Sequence, residues 1–424
     1  MSYEKKFLAL KKKLKKASPS ENVQKKSSAL KEVQSPTYEK KWLALGLKKE
    51  KTPFGSVYVR RKVFKKEDYH GRYQLSLFEK FKQYAVTEEV PEPMRALSKP
   101  FLFFDTETTG LRGSGTLIFL VGLLHPTEEG YVLTQYLLPS PAHEEAFLTS
   151  LPFYQQSYNV VTYNGKSFDW PQLESRSVMY RHSLDTLQKQ HLIDLLHVAR
   201  RVFKKEATRF RLDDIEEELL HFYRPHDIPG HLIPIIYQDA VKSGEPQALH
   251  DVFIHNEWDV LSLAVLYGRM LQLIIEKKKT TETIEANISE WLFDLRAYDH
   301  SQERIREALQ QFIGNDSRLY YYAATLLRKQ KATEEAYEAY LLALPDAPPR
   351  QRQLIYDQLA KIAEHSKKNI KLAQKWTIKG QETLIKTERE LTPKFYKRMQ
   401  REWQHREKRL SQKINKLCYN KNKR

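Results

Sequence analysis

Cysteine is almost absent from this chain, since Cys418 is the single cysteine among 424 residues. One thiol excludes an internal disulfide and fits a reducing compartment. Long hydrophobic runs are missing too: the longest apolar stretch, Leu117–Leu124, has eight residues. A run of that length predicts no transmembrane helix, and the charged N-terminus, which has no apolar segment, predicts no secretory signal. We therefore expect a cytoplasmic protein without membrane contact.

The charge of the chain is concentrated at its two ends. Residues 1–69 carry a net charge of +13 and residues 367–424 one of +14, so the total of +18 leaves −9 for the residues between them. An acidic centre between two basic arms predicts carboxylates that hold a metal ion and a periphery that attracts a polyanion such as nucleic acid. The alternative is that the basic ends only increase solubility.

Residues 101–110, with the sequence FLFFDTETTG, combine an apolar run with two carboxylates one residue apart. The run predicts a short buried strand. Asp105 and Glu107 then point to the same side, because side chains alternate along a strand. Two such carboxylates repel each other and lose hydration unless a cation lies between them. The plain alternative is a strand that ends in a polar turn, and carboxylates further along the chain should decide between the two.

Two later stretches also place polar groups at the ends of regular elements. In YNGKSFDWPQL, residues 163–173, an Asn-Gly turn ends a predicted strand, and Asp169 precedes a predicted helix that it could simply cap. In HNEWDVLSL, residues 255–263, His255 and Asp259 lie one turn apart on a long predicted helix. Taken alone, that pair is more often a capped or salt-bridged surface pair. Ligands of open α/β sheets gather at the carboxyl ends of strands, which favours a site at the first two stretches.

The order of the predicted elements indicates the fold class. Three strands, a helix and a further strand are predicted at residues 101–105, 116–124, 131–138, 143–155 and 159–163. The short connections between the first three strands imply antiparallel neighbours. This order of elements predicts an α/β sheet of the ribonuclease H type. Two amphipathic helices are predicted next, at about 191–203 and 212–220. Their acidic residues are interpreted as surface or capping charges; these are Asp194, Asp213, Asp214 and Glu216–Glu218.

Four carboxylates from three separated segments therefore form a candidate metal site, with Asp105, Glu107, Asp169 and Asp259 as its members. Hard divalent cations prefer oxygen ligands, and Mg²⁺ or Mn²⁺ bound in this way commonly serves phosphoryl transfer. Two ions roughly 3.5–4 Å apart can stabilise both the attacking and the leaving oxygen. His255, one turn from Asp259, is then placed to accept the proton of the attacking water.

The three motifs resemble those of the DEDD, or DnaQ-like, exonuclease superfamily: FDTETTG is similar to its first motif, YNGKSFDWPQL to its second and HNEWDVLSL to its third. The chain resembles more closely the bacterial YprB family, also called mitomycin repair factor B, through the additional stretch HDIPGHLIPIIY and a helical C-terminal region. This resemblance covers roughly residues 40–390. One departure is that three residues separate His255 from Asp259, whereas the His-type enzymes of the superfamily usually have four.

The resemblance implies a ribonuclease H-like domain, with a mixed sheet flanked by helices, that hydrolyses nucleic acid from a 3′ end with two Mg²⁺ or Mn²⁺ ions. It implies that Asp105 bridges both metal ions, that Glu107 and Asp169 complete their ligands, and that Asp259 holds the ion on the side of the nucleophile. The candidate substrate-binding residues are Thr108, Leu111 and Asn164.

The sequence after residue 284 is helical, with pairs of amphipathic helices at offsets near 32 to 37 residues. Such offsets predict tetratricopeptide-like repeats and a protein-binding face, with a plain helical bundle as the alternative. The family resemblance implies a partner helicase of the YprA (mitomycin repair factor A) type on this region. The predicted domains are basic N-terminal helices and a linker at 1–50, a small β lead-in at 51–99, the exonuclease domain at 100–280, the helical domain at 281–390 and a basic C-terminal tail at 391–424.

The sequence thus predicts a metal-dependent 3′-to-5′ exonuclease that acts on DNA, with a role in DNA repair. One alternative is an RNA-directed exoribonuclease, because carboxylates do not distinguish the two sugars. A second is a non-catalytic scaffold in which the repeats and the basic arms bind protein and nucleic acid. The intact carboxylate set argues against the scaffold.

Overall fold

A seven-stranded mixed sheet forms the centre of the molecule. The computed structural model describes residues 39–110, 115–180, 187, 189–277, 280–312 and 316–421, with side chains as far as residue 415. The strands of the sheet are β1 (Lys48–Thr52), β2 (Gly55–Lys65), β5 (Phe101–Thr108), β6 (Ile118–Pro126), β7 (Gly130–Leu137), β8 (Asn159–Thr162) and β9 (His191–Asp194). A separate two-stranded ladder consists of β3 (Tyr69–His70) and β4 (Tyr73–Gln74).

The strand order is β1-β2-β7-β6-β5-β8-β9, with antiparallel pairing from β1 to β5 and parallel pairing from β5 to β9. The short connections between β5, β6 and β7 give antiparallel neighbours, as the sequence predicted. This mixed sheet with flanking helices confirms the ribonuclease H-like fold class. Segment 51–99, predicted as a β lead-in, supplies β2 to the same sheet by pairing it with β7.

Strand β9 was not predicted, because the helix expected at 191–203 is a strand followed by a helix, α5 (Leu195–Val202). A short apolar run cannot be assigned to strand or helix by periodicity alone. The place beside β8 decides for a strand, since Val160 and Val161 pair in parallel with Leu192 and Ile193.

Helices cover both faces of the sheet in the first part of the chain. In the order of the chain they are α1 (Glu39–Leu43), α2 (Ser76–Phe81), α3 (Glu144–Thr149), α4 (Asp169–Met179), α5, α6 (Leu212–Ile215), α7 (Ile233–Ser243) and α8 (Leu249–Ile275). The helix predicted at 143–155 is shorter than expected, because 3₁₀ turns at Pro141–His143 and Pro152–Tyr154 flank α3.

Helix α8 is the longest helix of this part and packs against the sheet. By length and composition it could cross a membrane, but 83% of its most apolar window is buried inside the protein, as in the core helix of a globular domain. Gly268 lets α2 approach closely, since a Cβ at this position would lie 2.8 Å from the backbone nitrogen of Phe78. The apolar character of α8 therefore serves the core.

The C-terminal part is a succession of helices: α9 (Glu282–Asp294), α10 (Tyr298–Gln311), α11 (Ser317–Lys329), α12 (Thr333–Ala343), α13 (Pro349–His365), α14 (Ile370–Lys386) and α15 (Pro393–Lys421). These successive helices agree with the helix pairs that the sequence predicted after residue 284, which supports helical repeats. The small residues Ala324, Ala360 and Ala363 are fully buried with Leu359, as expected where helices pack closely.

The expected boundary at residue 280 does not interrupt the core. Ile284, Ile288 and Trp291 of α9 are buried in the same apolar cluster as α8. Arg304 of α10 donates hydrogen bonds to the backbone oxygens of Leu273 and Ile274 at the end of α8. The helical region is therefore continuous with the α/β part in its packing.

The basic segment after residue 391, predicted as a tail, is instead the long helix α15. Phe395, Met399, Trp403 and Leu410 are buried in the core of the helical region, and their spacings of four, four and seven residues place them on one face of the helix. The high lysine and arginine content had hidden this stripe. The segment is an integral helix with one apolar face and one basic face.

Trp403 is the largest side chain that α15 buries, and its removal tests whether the helix is integral. It is 1% exposed and donates an indole hydrogen bond of 2.9 Å to Gln353. We expect Trp403→Ala to lower the free energy of unfolding by about 3–5 kcal/mol, because it leaves a cavity and an unpaired Gln353. The measurement is guanidinium unfolding followed by circular dichroism, with exposed Gln404→Ala as the matched control. Equal stability of the two variants would mean that α15 is a dispensable tail.

Candidate metal centre and active site

The predicted carboxylates come together where the parallel strands β5 and β8 end. Asp105 and Glu107 lie on one face of β5. Asp169 opens helix α4, which follows the loop at the end of β8. Helix α8 crosses the same edge of the sheet and brings His255 and Asp259 to it. Three separated segments thus meet, as the sequence predicted from strand ends and helix faces.

Each of three carboxylates is oriented by a donor from the protein. Asn256 donates a hydrogen bond of 2.8 Å to Asp105, and the Thr106 hydroxyl donates to Asp169. The guanidinium of Arg224 donates to Asp259. One oxygen of each carboxylate is thereby fixed, which sets the direction in which the other can reach a cation.

A glycine permits the contact between α8 and β5. Gly122 of β6 pairs with Asp105, and a Cβ there would lie 2.1 Å from the Asn256 side chain. Gln135 of β7 donates a hydrogen bond of 2.9 Å to the oxygen of Asn256. This bond turns the amide nitrogen of Asn256 toward Asp105.

His255 lies between two groups of carboxylates. Its Nδ1 is 2.6 Å from an oxygen of Asp227. Its Nε2 is 3.4 Å from Asp259 and 3.8 Å from Glu107. Donation from Nδ1 to Asp227 leaves Nε2 directed into the carboxylate cluster. The three-residue spacing between His255 and Asp259 is therefore compatible with a position at the reacting centre.

The electrostatics of the site show that it is short of positive charge. Burial, with the charges of Asp259, Glu107 and Asp169, raises the pKa of Asp105 well above its usual range. Burial raises the pKa of Glu107 to about 8, against the opposing charge of His255, and that of Asp169 to about 6, against the hydrogen bond from Thr106. Burial lowers the pKa of His255, but Asp259 and Asp227 outweigh this and raise it to about 9.

These observations fit a site for divalent cations. Candidate ligand atoms of Glu107, His255 and Asp259 all lie within 4.8 Å of one another. Asp105 and Asp169 lie close to this group. The charges of Glu107 and Asp259 raise the pKa of Asp105, and the charge of Asp169 raises the pKa of Glu107. A hard cation would relieve the repulsion among these buried carboxylates. The residues that could hold it are Asp105, Glu107, Asp169 and Asp259, with His255 at their edge.

A cleft of about 410 Å³ opens above the carboxylates. Asp105, His255 and Asp259 form part of its lining, while Tyr163, Arg211 and the loop from Asp227 to Gly230 form other parts. The cleft gives a ligand from solvent direct access to the centre.

Two of the three residues predicted to bind substrate, Thr108 and Asn164, lie within the described residues. The Thr108 hydroxyl donates a hydrogen bond of 2.8 Å to the backbone oxygen of Gly110, so it stabilises the strand end. Asn164 is exposed in the predicted turn, with a φ of 63°, and its backbone donates to Asp194. Leu111 lies outside the described residues. A substrate role for Thr108 and Asn164 stays a prediction.

Two acidic residues that were interpreted as surface or capping charges are buried. Asp194 is 2% exposed; it caps α5 by accepting from Leu196 and also holds the loop after β8 through Asn164. Glu216 is fully buried and binds both sides of the Arg224 guanidinium at 2.6 and 2.7 Å. Local periodicity could not reveal these contacts, because Asn164 and Arg224, which donate to Asp194 and Glu216, both lie in irregular segments.

Arg224 and Asp227 are two residues of the site that the sequence analysis missed, as it also missed Thr106 and Asn256. Arg224 contacts Glu216, Asp259 and Asp227 at once, and Asp227 orients His255. Asp227 belongs to the HDIPGHLIPIIY stretch that the sequence analysis used only for the family resemblance. A signal therefore existed, but nothing in the spacing assigned a role to it.

Comparison with known proteins agrees with this architecture, since residues 102–271 match the RNase_H superfamily. This segment contains all five candidate residues. The fold of this segment is ribonuclease H-like.

A protein of Bacillus subtilis (strain 168), named uncharacterized protein YprB, is 36% identical to this chain over 269 residues. The alignment covers 63% of this chain and 65% of the relative, just under two thirds of that protein. The expected similarity to YprB is confirmed. A ribonuclease H-like domain with clustered carboxylates supports a nuclease, whereas its assignment to the DnaQ-like exonucleases stays a prediction.

The raised pKa values predict that the metal-free protein loses stability as the pH rises. A carboxyl group with a raised pKa in the folded state stabilises the fold below its unfolded pKa and loses that effect as the pH rises through the folded pKa. For Glu107 the loss spans pH 4.5 to about 8. We expect the thermal midpoint in chelator to fall across this range, and Mn²⁺ to reverse the fall. Circular dichroism at several pH values measures both effects.

The matched variant for this test is Glu107→Gln, which removes the charge and keeps the shape. Its midpoint should fall less steeply with pH than that of the wild type. If the two profiles coincide, repulsion at Glu107 does not limit the stability of the metal-free fold.

Proposed function

We propose that this protein is a metal-dependent exonuclease that hydrolyses DNA from its 3′ end, in the cytoplasm and in the service of DNA repair. The observation that carries the proposal is the convergence of four carboxylates and His255 beneath an open cleft in a ribonuclease H-like domain. The resemblance of the three motifs to DnaQ-like exonucleases supports the exonuclease and its direction.

The chemistry follows from the groups of the site. Two Mg²⁺ or Mn²⁺ ions on Asp105, Glu107, Asp169 and Asp259 would supply the positive charge that phosphodiester hydrolysis requires. Arg224 keeps Asp259 in place, and Asn256 keeps Asp105 in place. His255 accepts the proton of the attacking water at Nε2 while its Nδ1 donates to Asp227.

The state of His255 depends on the charges around it. Asp259, the hydrogen bond to Asp227 and Glu107 together outweigh burial and raise its pKa to about 9, which favours the protonated ring. Positive charge bound to Asp259 and Glu107 would weaken the part of this shift that those two carboxylates cause, and so would favour the neutral ring that can accept a proton.

The substrate is tested with end-labelled single-stranded DNA, duplex DNA and RNA of one sequence, each with Mn²⁺ and with or without chelator. We expect shortening of the DNA from its 3′ end, in the presence of metal only. Preferential loss of the RNA would replace this proposal with an exoribonuclease. Binding of all three without any cleavage would favour the non-catalytic scaffold.

The four carboxylates should act as one unit. We predict that Asp105→Ala, Glu107→Ala, Asp169→Ala and Asp259→Ala each nearly abolish cleavage while the circular dichroism spectrum stays unchanged. Double variants should lose little more, because the groups share the same cations. Asp251→Ala, an exposed carboxylate on the same helix as Asp259, is the control. Wild-type turnover of any two of the four variants in saturating Mn²⁺ contradicts a shared metal site.

We predict that His255 acts as the general base and contributes little to the affinity for the metal ions. A positioned general base typically contributes about 10²–10⁴-fold to the rate, so His255→Ala should lose turnover in that range while Mn²⁺ affinity stays near wild type. Asp259→Asn should weaken Mn²⁺ binding instead. If His255 only orients water, turnover of His255→Ala falls less than about tenfold and its pH–rate profile overlays that of the wild type.

The helical region and the basic ends are proposed to bind macromolecules. The family resemblance supports a partner helicase of the YprA type on the helical repeats. The basic N-terminal residues are proposed to add sequence-independent attraction to phosphates.

A further inference from the structure

A groove runs between α14 and α15, on a part of the molecule that the proposed nuclease site does not use. Its volume is about 330 Å³. The residues of its floor and walls that matter here are Ile378, Gln381 and Ile385 of α14 and Tyr396, Gln400 and Gln404 of α15. We call this feature the α14–α15 groove.

Aliphatic side chains in the groove are open to solvent. Ile378 is 41% exposed and Ile385 is 68% exposed. They lie seven residues apart, so they point from the same face of α14 two turns apart. Single exposed apolar residues are ordinary, but a pair aligned along a groove has the spacing of a binding stripe.

Positive charge lies beside the groove on both helices. A rotation of 100° per residue places a row of exposed basic side chains next to the groove face of each helix, on the side away from the other helix. On α14 the row consists of Lys371, Lys375, Lys379 and Lys386, and on α15 of Lys394, Lys397, Arg401 and Lys408. Helix α14 carries four lysines and one glutamate, Glu382, which lines the groove itself. Helix α15 carries ten basic residues and two glutamates, of which Glu407 accepts a hydrogen bond of 2.7 Å from Gln381. Basic side chains therefore outnumber acidic ones on both sides, or rims, of the aliphatic floor.

The shape of the groove suits a helix. In a stack of helical repeats each helix pair packs against the next one, and the groove between two packed helices accepts the side-chain ridge of a third. The α14–α15 groove has this form. An amphipathic helix with apolar residues at positions i, i+3 or i+4 and i+7 could place its apolar ridge in it.

The basic rims select the charge of that helix. Carboxylates on both sides of its apolar stripe would face the lysines of α14 and α15. The chain's own segment 1–35 has ten lysines and three glutamates, so charge repulsion disfavours it as the occupant. A second copy of this face would be repelled for the same reason. Nucleic acid would find phosphate contacts on the rims and the rings of Tyr396 and Trp403 in the groove. Trp403 is only 1% exposed, however, and the large apolar side chains of the groove that are most open to solvent are Ile378 and Ile385, on which bases do not stack.

We propose that the α14–α15 groove is a docking site for an acidic amphipathic helix of a partner protein. Ile378 and Ile385 take its apolar stripe, and the lysines and arginine of the rims take its carboxylates. This proposal does not depend on the proposed nuclease activity, because none of the five candidate catalytic residues contributes to the groove.

The test is a binding measurement with the full-length protein in chelator, so that nuclease activity plays no part. The probe is a fluorescent designed peptide of about 18 residues with leucines at helical spacing and glutamates on both flanks of the stripe. A scrambled peptide of the same composition is the control for charge alone. Fluorescence anisotropy should show binding of the designed peptide and at least about tenfold weaker binding of the scrambled one.

The variants distinguish binding of the peptide in the groove from nonspecific electrostatic attraction to the protein surface. The double variant Ile378→Asp with Ile385→Asp should weaken binding of the designed peptide by at least about tenfold. The double variant Lys375→Glu with Lys397→Glu should weaken its binding as well. Leu342→Asp, at a side chain that is 60% exposed on α12, is the matched control and should bind as the wild type does. Because these side chains are exposed, the variants should keep the wild-type thermal midpoint.

Four outcomes would overturn the proposal. The first three are absence of binding, equal binding of both peptides, and unchanged binding in the isoleucine variant. The fourth is that oligo-dT displaces the peptide from the wild type and that the isoleucine variant no longer binds oligo-dT. The last outcome would assign the groove to single-stranded nucleic acid. Sedimentation of the wild type and the isoleucine variant adds a fifth: self-association lost in the variant would make the groove an interface between copies of this chain.

Discussion

Asp105, Glu107 and Asp259 repel one another beside the cleft, where they are buried or only partly exposed, and the α/β part of the molecule supplies the groups that hold them there. Asn256 fixes the first, and Arg224 fixes the third. Leaving like charges together in a buried place costs folding free energy. Such an arrangement is retained where a ligand of opposite charge repays that cost, which is why the cluster indicates a cation site.

Helix α8 connects this cluster to the apolar core of the α/β part. Gly122 makes room for Asn256 above the sheet, and Gly268 makes room for α2 further along the helix. Glu257 of the same helix forms ion pairs with Arg60 and Lys62 of β2. The segment before the predicted catalytic domain is therefore part of the support of the site. A shift of α8 would move His255 and Asp259 together relative to Asp105.

The helical region is attached to the same element. Arg304 binds the last carbonyls of α8 and forms a buried ion pair with Glu285 of α9. These contacts satisfy polar groups at a helix end that would otherwise be buried without partners. The proposed nuclease centre and α9 thus share one apolar cluster, whereas α14 and α15, which carry the groove, are buried in a second one.

The sequence by itself determined the parts of this protein that depend on local pattern. Strand β5 with Asp105 and Glu107, the turn before Asp169 and the helix that carries His255 and Asp259 follow from apolar periodicity and from turn residues. The helix pairs of the C-terminal part follow for the same reason. The similarity to YprB also came from motifs that can be seen without a structure.

Only the tertiary structure decided what depends on partners that are distant in sequence. His191–Asp194 is a strand because β8 offers an edge, and α15 is an integral helix because Trp403 has Gln353 and Gly380 to pack against. Glu216 and Asp194 are buried because Arg224 and the loop after β8 satisfy their charges. Arg224 and Asp227 belong to the site because the irregular segment between α6 and α7 passes beside α8. No local spacing encodes such contacts, since they form between side chains that only the folded chain brings together.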